Sequence, residues 1–234
     1  MPKLFLREID KLKRQIISLG TIVEDSVRLA VKSLETRDSS LALKVIEKDH
    51  EVDLAEVDLE EECLKILALH QPVAIDLRFI VAVLKINNDL ERIGDQAVNI
   101  AERVILLNRL PKVDIPFDFP TMTEKAKDML RRSLDALVNM KAELAYEVLK
   151  ADDEVDCLNR EMYEQVKTGI RNQPEQVESL IHLLGISRTL ERIADHATNI
   201  AEDVIYMILG EIVRHHIKDD VMAQLDKSEK PCEQ

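Results

Sequence analysis

LERIGDQAVNIAERVI, residues 90–105, returns as LERIADHATNIAEDVI at residues 190–205, with twelve of sixteen positions identical at a separation of one hundred residues. Packing alone would keep the apolar positions of a repeated helix and leave the outward ones free to drift. Here Glu91, Asp95, Asn99 and Glu102 recur as Glu191, Asp195, Asn199 and Glu202. The repeat therefore preserves a set of polar side chains as well as a scaffold, and a site occurs twice in one chain.

Working outward, 234 residues containing a repeat of this spacing imply two similar halves, each long enough to bury a core. Seven aromatic residues and five glycines among abundant Leu, Ile, Val, Ala, Glu and Lys match long helices packed through aliphatic seams, and disfavour strand-rich folds. A net charge of −13 argues against direct nucleic-acid binding, because the basic runs at Lys11–Arg14 and Arg131–Arg132 are short and lie among acids. Cys63, Cys157 and Cys232 have no zinc-site spacing. Met1–Leu19 lacks a signal-peptide core, and the longest apolar run, Phe79–Leu84, is far short of the ~20 residues a membrane helix needs. A soluble, cytoplasmic protein of a reducing compartment is expected.

Apolar residues recur at three- and four-residue intervals from Leu4 to about Leu34, and Asp38, Ser39 and Ser40 mark a stop followed by a cap. A second helix is predicted from Leu41 to Leu69, ending at Gln71-Pro72, and a third from about Asp76 to Asn108. LPKVDIPFDFP has three prolines and no helical period, as a connection should. A fourth helix capped by Thr121 or Thr123 is predicted to about Lys150, with Ala151-Asp152-Asp153 near the next turn. A fifth follows to Arg171, the Gln173-Pro174 break comes next, and a sixth runs to about Leu209. The expected fold is all-α: two tandem, similar three-helix bundles of six long helices, packed up-down and antiparallel. Residues 1–109 form the first bundle, 110–120 a proline-rich linker, 121–210 the second bundle and 211–234 a polar tail.

Successive helical residues turn by about 100°, which puts Glu91, Asp95, Asn99 and Glu102 on one stripe and Ile93, Ala97, Ile100 and Val104 on the opposite side. The carboxylates thus face away from the bundle core, unlike the inward ligands of di-iron bundles, and no Glu-x-x-His is present. Each signature is preceded by an acidic pair spaced i, i+4: Asp49 with Asp53, and Asp152 with Asp156. If the second and third helices of each half are antiparallel neighbours, Asp49, Asp53, Glu91 and Asp95 gather in one place, and Asp152, Asp156, Glu191 and Asp195 in another. Such clusters must take up protons, pair with cations or bind a metal. Hard ions suited to oxygen ligands are the natural fit: iron, manganese, magnesium or calcium.

The competing reading is a wet helix face on which Glu91 and Glu191 pair with Arg92 and Arg192, each pair contributing only ~0.3–0.5 kcal/mol. Gly94, matched by Ala194, suggests close approach of a neighbouring helix. His50 and His196 lie beside the acidic positions but turn away from them. No nucleophile–base constellation, phosphate loop or dinucleotide fingerprint is present, so neither catalytic nor cofactor-binding residues are assigned.

The pair LERIGDQAVNIAE and LERIADHATNIAE resembles the twin signature of the PhoU family, the phosphate-transport regulators of bacteria. The resemblance extends over both halves to about Gly210. It implies two cytoplasmic three-helix bundles, often dimeric, whose E(D)-x-x-x-D motifs bind multinuclear metal clusters. That role carries over to Asp49, Asp53, Glu91 and Asp95, and to Asp152, Asp156, Glu191 and Asp195. It also implies a non-enzymatic negative regulator of phosphate uptake and starvation signalling. Its partners would be the ATPase subunit of the phosphate transporter and the phosphate-sensing histidine kinase, with attachment to the cytoplasmic membrane face only through them. A metal-dependent hydrolase or oxidase, or a bare helical scaffold, is the alternative. One departure is that Glu56 and Glu60 align with Asn159 and Tyr163, which predicts weaker metal binding in the second half.

Overall fold

The computed structural model describes residues 3–113 and 117–210. Six α-helices follow one another: α1 (Lys3–Thr36), α2 (Ser39–His70), α3 (Ala74–Leu107), α4 (Phe119–Asn139), α5 (Ala142–Asn172) and α6 (Val177–Leu209). A 3₁₀ turn at Pro174–Gln176 leads into α6, and no strand occurs among the described residues. The expected tail at 211–234 and the linker residues 114–116 lie outside the described residues.

Local chemistry sets the helix ends. Asp38, in extended backbone, accepts the backbone N–H groups of Ser40 (2.8 Å) and Leu41 (3.4 Å), which would otherwise be orphan donors of α2. Gln71 closes α2 in the left-handed region at φ 46°, and Pro72 then prevents continuation. Asp118 caps α4 through the N–H of Thr121 at 3.1 Å, with Pro120 in the first turn, where a missing donor costs nothing. The cap therefore comes before Thr121 and Thr123, and Thr123 instead turns its hydroxyl onto the Phe119 carbonyl.

The larger correction concerns the fourth helix. It ends at Asn139 rather than near Lys150, and Asp152 and Asp153 lie inside α5 rather than at a turn. Met140 makes the break in a left-handed conformation at φ 55°, its N–H bonding back to Ala136 and Leu137 carbonyls. Neither glycine nor proline marks this stop, so a continuous apolar period conceals it. The consequence is functional, because a mid-helix Asp152 faces the neighbouring helix along its side.

Short links make consecutive helices antiparallel neighbours, so α1–α3 and α4–α6 each form a three-helix unit. In both, the signature helix is buried on the expected face: Leu90, Ile93, Ala97 and Ile100 are inaccessible, and so is each counterpart one hundred residues on. The units are not separate beads. α3 packs along α6, α1 touches α4, and one hydrophobic core runs through both halves.

The α3–α6 seam is antiparallel. Arg78 Nε donates to the Met207 carbonyl (3.0 Å), Lys85 Nζ to Asp203 Oδ1 (2.9 Å), and His196 Nδ1 lies 2.8 Å from Asp89 Oδ1. At the other end the Arg103 guanidinium lies over Gly185, where a Cβ would come within 2.4 Å of it. Because α3 and α6 are repeats of each other, this is an approximate two-fold contact. Lys85 with Asp203 at one end corresponds to Gly185 with Arg103 at the other. Likewise, Asp89 with His196 corresponds to Thr189 with Gln96. Two of the four mismatches in the repeated motif, Gln96/His196 and Arg103/Asp203, are thus complementary adjustments of this seam.

A core shared across the seam predicts one cooperative unfolding transition rather than two. Ile193, fully buried, should cost about 2–5 kcal/mol when changed to alanine. Urea denaturation followed by circular dichroism checks both, and two separated transitions would contradict the shared core.

Candidate functional site

The first acidic cluster depends on the approach of α2 to α3. A Cβ on Gly94 would lie 3.1 Å from Val52 Cγ1 and 3.6 Å from Asp49 Oδ1, so the missing side chain lets the α2 residues press against α3. The second half manages with Ala194, a side chain of the next size up.

Electrostatics identifies which carboxylates share each site. Asp49 has its pKa raised, first by burial and then by Asp53 and Asp95. Glu91 is raised by burial, then by Asp95, Glu56 and Asp53, with partial relief from Arg92. In the second half, burial pushes Asp152 up to about 7, assisted by Asp156, Asp195, Asp153 and Glu191. Glu191 is raised by burial and then by Asp195 and Asp156, against Arg192 and Arg188. The eight residues singled out in the sequence therefore divide into Asp49, Asp53, Glu91, Asp95 and Asp152, Asp156, Glu191, Asp195. Each group joins two adjacent helices.

Glu56 is a member that the four-residue reading left out. Burial raises its pKa, followed by Glu60 and Asp53, and its charge is felt at Glu91. Asn87, almost completely buried on α3, donates through Nδ2 to the Glu56 carbonyl (2.9 Å) and to its carboxylate (3.4 Å). In the second half, Ser187 occupies the Asn87 position and donates to Asn159, the counterpart of Glu56, at 2.7 Å. A carboxylate has been exchanged for an amide, together with the residue that holds it. The signal was present in the sequence, since Glu56 follows Asp53 by three residues and so lies on the same helix face.

Basic neighbours widen the difference between the halves. Arg160 Nη1 lies 3.9 Å from Asp156 Oδ2. Among the described residues, Asp49, Asp53, Glu56, Glu91 and Asp95 make no ion pair. The first cluster is the more acidic and the less neutralised.

The stripes face outward from each bundle, yet they do not lie on opposite sides of the molecule. An open groove between α3 and α6 is lined by Glu91, Arg92 and Asp95 on one wall and by Arg192, Asp195 and Asn199 on the other. His196 also borders it, engaged with Asp89 across the seam, whereas His50 is exposed. The donor set is purely oxygen, which suits a hard cation. Among the described residues no three acidic, histidine or cysteine side chains stand gathered as a ready coordination shell.

Comparison with known proteins agrees with this geometry. The PhoU domain model matches residues 16–104 and again 119–204, covering both three-helix units and both signature helices. The chain belongs to the PhoU family. It is 40% identical over 218 residues to an Aquifex aeolicus protein named a phosphate-specific transport system accessory protein PhoU homolog, covering 93% of this chain and 98% of that one. A Thermotoga maritima homologue of the same name is 34% identical over 221 residues, with 92% and 93% covered. Among solved structures, PhoU from Pseudomonas aeruginosa superposes with a TM-score of 0.84 at 34% identity, covering 88% of this chain and all of that one. The phosphate transport system regulatory protein PhoU from Streptococcus pneumoniae gives 0.80 at 29%, covering 89% and 99%.

The raised pKa of Asp152 has a defined consequence for stability. The folded state holds a proton that the unfolded chain releases near pH 4, so the stability this group contributes is complete below that pH. It is lost as pH rises towards about 7. In chelator-treated protein the melting temperature should fall between pH 5 and pH 8, and Asp152→Asn should flatten that fall. Thermal melts across the range check this, and an unchanged slope in the variant would contradict it.

Proposed function

We propose that this PhoU-family protein is a non-enzymatic negative regulator of phosphate uptake and of phosphate-starvation signalling. It acts by contact with the ATPase subunit of the phosphate transporter and with the phosphate-sensing histidine kinase, at the cytoplasmic face of the membrane. The observation that carries the reading is full-length similarity to proteins named as phosphate transport accessory and regulatory proteins. Its effect on transcription is indirect, in keeping with a net charge of −13. No helix among the described residues is long and apolar enough to cross a membrane. The working form is a homodimer.

The two carboxylate clusters serve this role as cation sites for iron, manganese or magnesium. A bound cation would offset the mutual repulsion of Asp49, Asp53, Glu56, Glu91 and Asp95, and of Asp152, Asp156, Glu191 and Asp195. An open, wet groove suits binding and regulation better than hydrolysis, which draws its electrostatic leverage from a water-excluded pocket.

Pull-down of the transporter ATPase and the kinase at high and low phosphate tests the regulatory role: both should be retained at high phosphate, and retention of neither would refute it. The cation sites are tested by manganese titration of chelated protein. Glu91→Ala should weaken binding more than Glu191→Ala, because the first cluster has the extra carboxylate Glu56 and has Val57 in the place of Arg160. Equal losses would count against the inequality.

A further inference from the structure

The outer face of α2 has apolar residues where a solvent helix should be polar. Leu43, Leu54, Val57 and Leu64 are 51%, 54%, 48% and 52% exposed, on the side opposite the buried Val52, Leu59 and Cys63. α2 packs only on α1 and α3, so nothing among the described residues covers this face.

The repeat supplies an internal control. In the register that sets Asp49 on Asp152 and Asp53 on Asp156, Leu43 falls on Tyr146, Leu54 on Cys157, Val57 on Arg160 and Leu64 on Lys167, so charge replaces the apolar residue at the last two positions. At those two positions α5 carries paired charges: Arg160 pairs with Asp156, and Lys167 with Glu164 at 3.1 Å. Two helices at equivalent places in the repeat thus differ at the C-terminal half of their outward faces, around Val57 and Leu64. Bundle stability does not require leucine or valine there, since α5 manages without them.

We propose that the outer face of α2 is a docking surface for a basic, amphipathic helix of a partner protein. The apolar positions supply the anchor row of a helix laid against a helix. Charge selects the occupant. Glu47, Glu51, Asp58 and Glu61 are exposed beside or within the row and make no ion pair among the described residues, and they outnumber the exposed Lys44 and Lys65 on the same side, so the surface is apolar with a net acidic rim. A second copy of this chain would set one acidic rim against another, and anionic lipid would be repelled in the same way. A cationic helix with an apolar stripe satisfies both features. The surface also adjoins Asp49 and Asp53 on the same helix, so an occupant would sit beside the first acidic cluster. This inference stands on α2 alone and does not depend on the phosphate reading.

The test uses the purified full chain and a synthetic leucine–lysine peptide of about 18 residues, roughly five helical turns, labelled for fluorescence anisotropy. The peptide should bind the wild-type protein, and Leu54→Gln/Val57→Gln/Leu64→Gln should weaken binding at least ten-fold with the helical circular dichroism retained. If that variant fails to fold, Val57→Arg/Leu64→Lys, which copies the residues of α5, serves in its place. Glu47→Gln/Glu51→Gln/Asp58→Asn/Glu61→Gln should also weaken binding, and a scrambled peptide of equal charge should not discriminate wild type from the apolar variant. Equal affinity of the apolar variant and wild type would overturn the proposal. So would better binding of an acidic amphipathic peptide, association with anionic vesicles through this face, or sedimentation as an oligomer that the apolar variant abolishes.

Discussion

The antiparallel crossing of α3 on α6 is the contact on which the remaining architecture depends. Each of these helices is the innermost element of its own unit, and each presents its second apolar side to the other. One seam therefore joins two half-cores into one and sets the two signature stripes on either wall of a single groove. Because the helices are repeats, the seam pairs two versions of one surface. The two ends are distinct, with Lys85–Asp203, Asp89–His196 and the Arg103 guanidinium over Gly185 differentiating what the repeat alone would leave alike.

The acidic clusters are a standing electrostatic cost. Within each cluster the neighbouring carboxylates raise one another's pKa values, and the chain keeps this arrangement twice. Gly94 forgoes helix propensity where a Cβ would lie 3.1 Å from Val52 on α2. A protein selected for stability alone would replace these groups, as α5 has in part done by exchanging Glu56 for Asn159 and placing Arg160 beside Asp156. Clusters kept despite their repulsion are the expected mark of a site that works with a counter-charge from outside.

Most of the fold and the division of the eight carboxylates were legible in the sequence, because helical periodicity and the offset repeat are strong signals. The end of α4 was not. Met140 adopts a left-handed conformation without glycine, proline or a change of period to mark it, so the apolar pattern reads straight through to Lys150. Asp152 then seemed to belong to a turn, although it faces α6 from mid-helix. Nor could the sequence place α3 against α6, since the separate periodicities are satisfied within each bundle and only tertiary packing chooses the remaining partner. The role of Asn87 was hidden for a similar reason: an asparagine on an apolar face is intelligible only once Glu56 is seen beside it.

We propose that the duplicated stripes are cation sites assembled across α2–α3 and α5–α6 on a common face. Crystals grown with manganese and measured at its absorption edge test this most directly. The prediction is anomalous density at Asp49, Asp53, Glu91 and Asp95, and weaker density at Asp152, Asp156, Glu191 and Asp195. Fully ordered crystals with no anomalous peak at either cluster would contradict it.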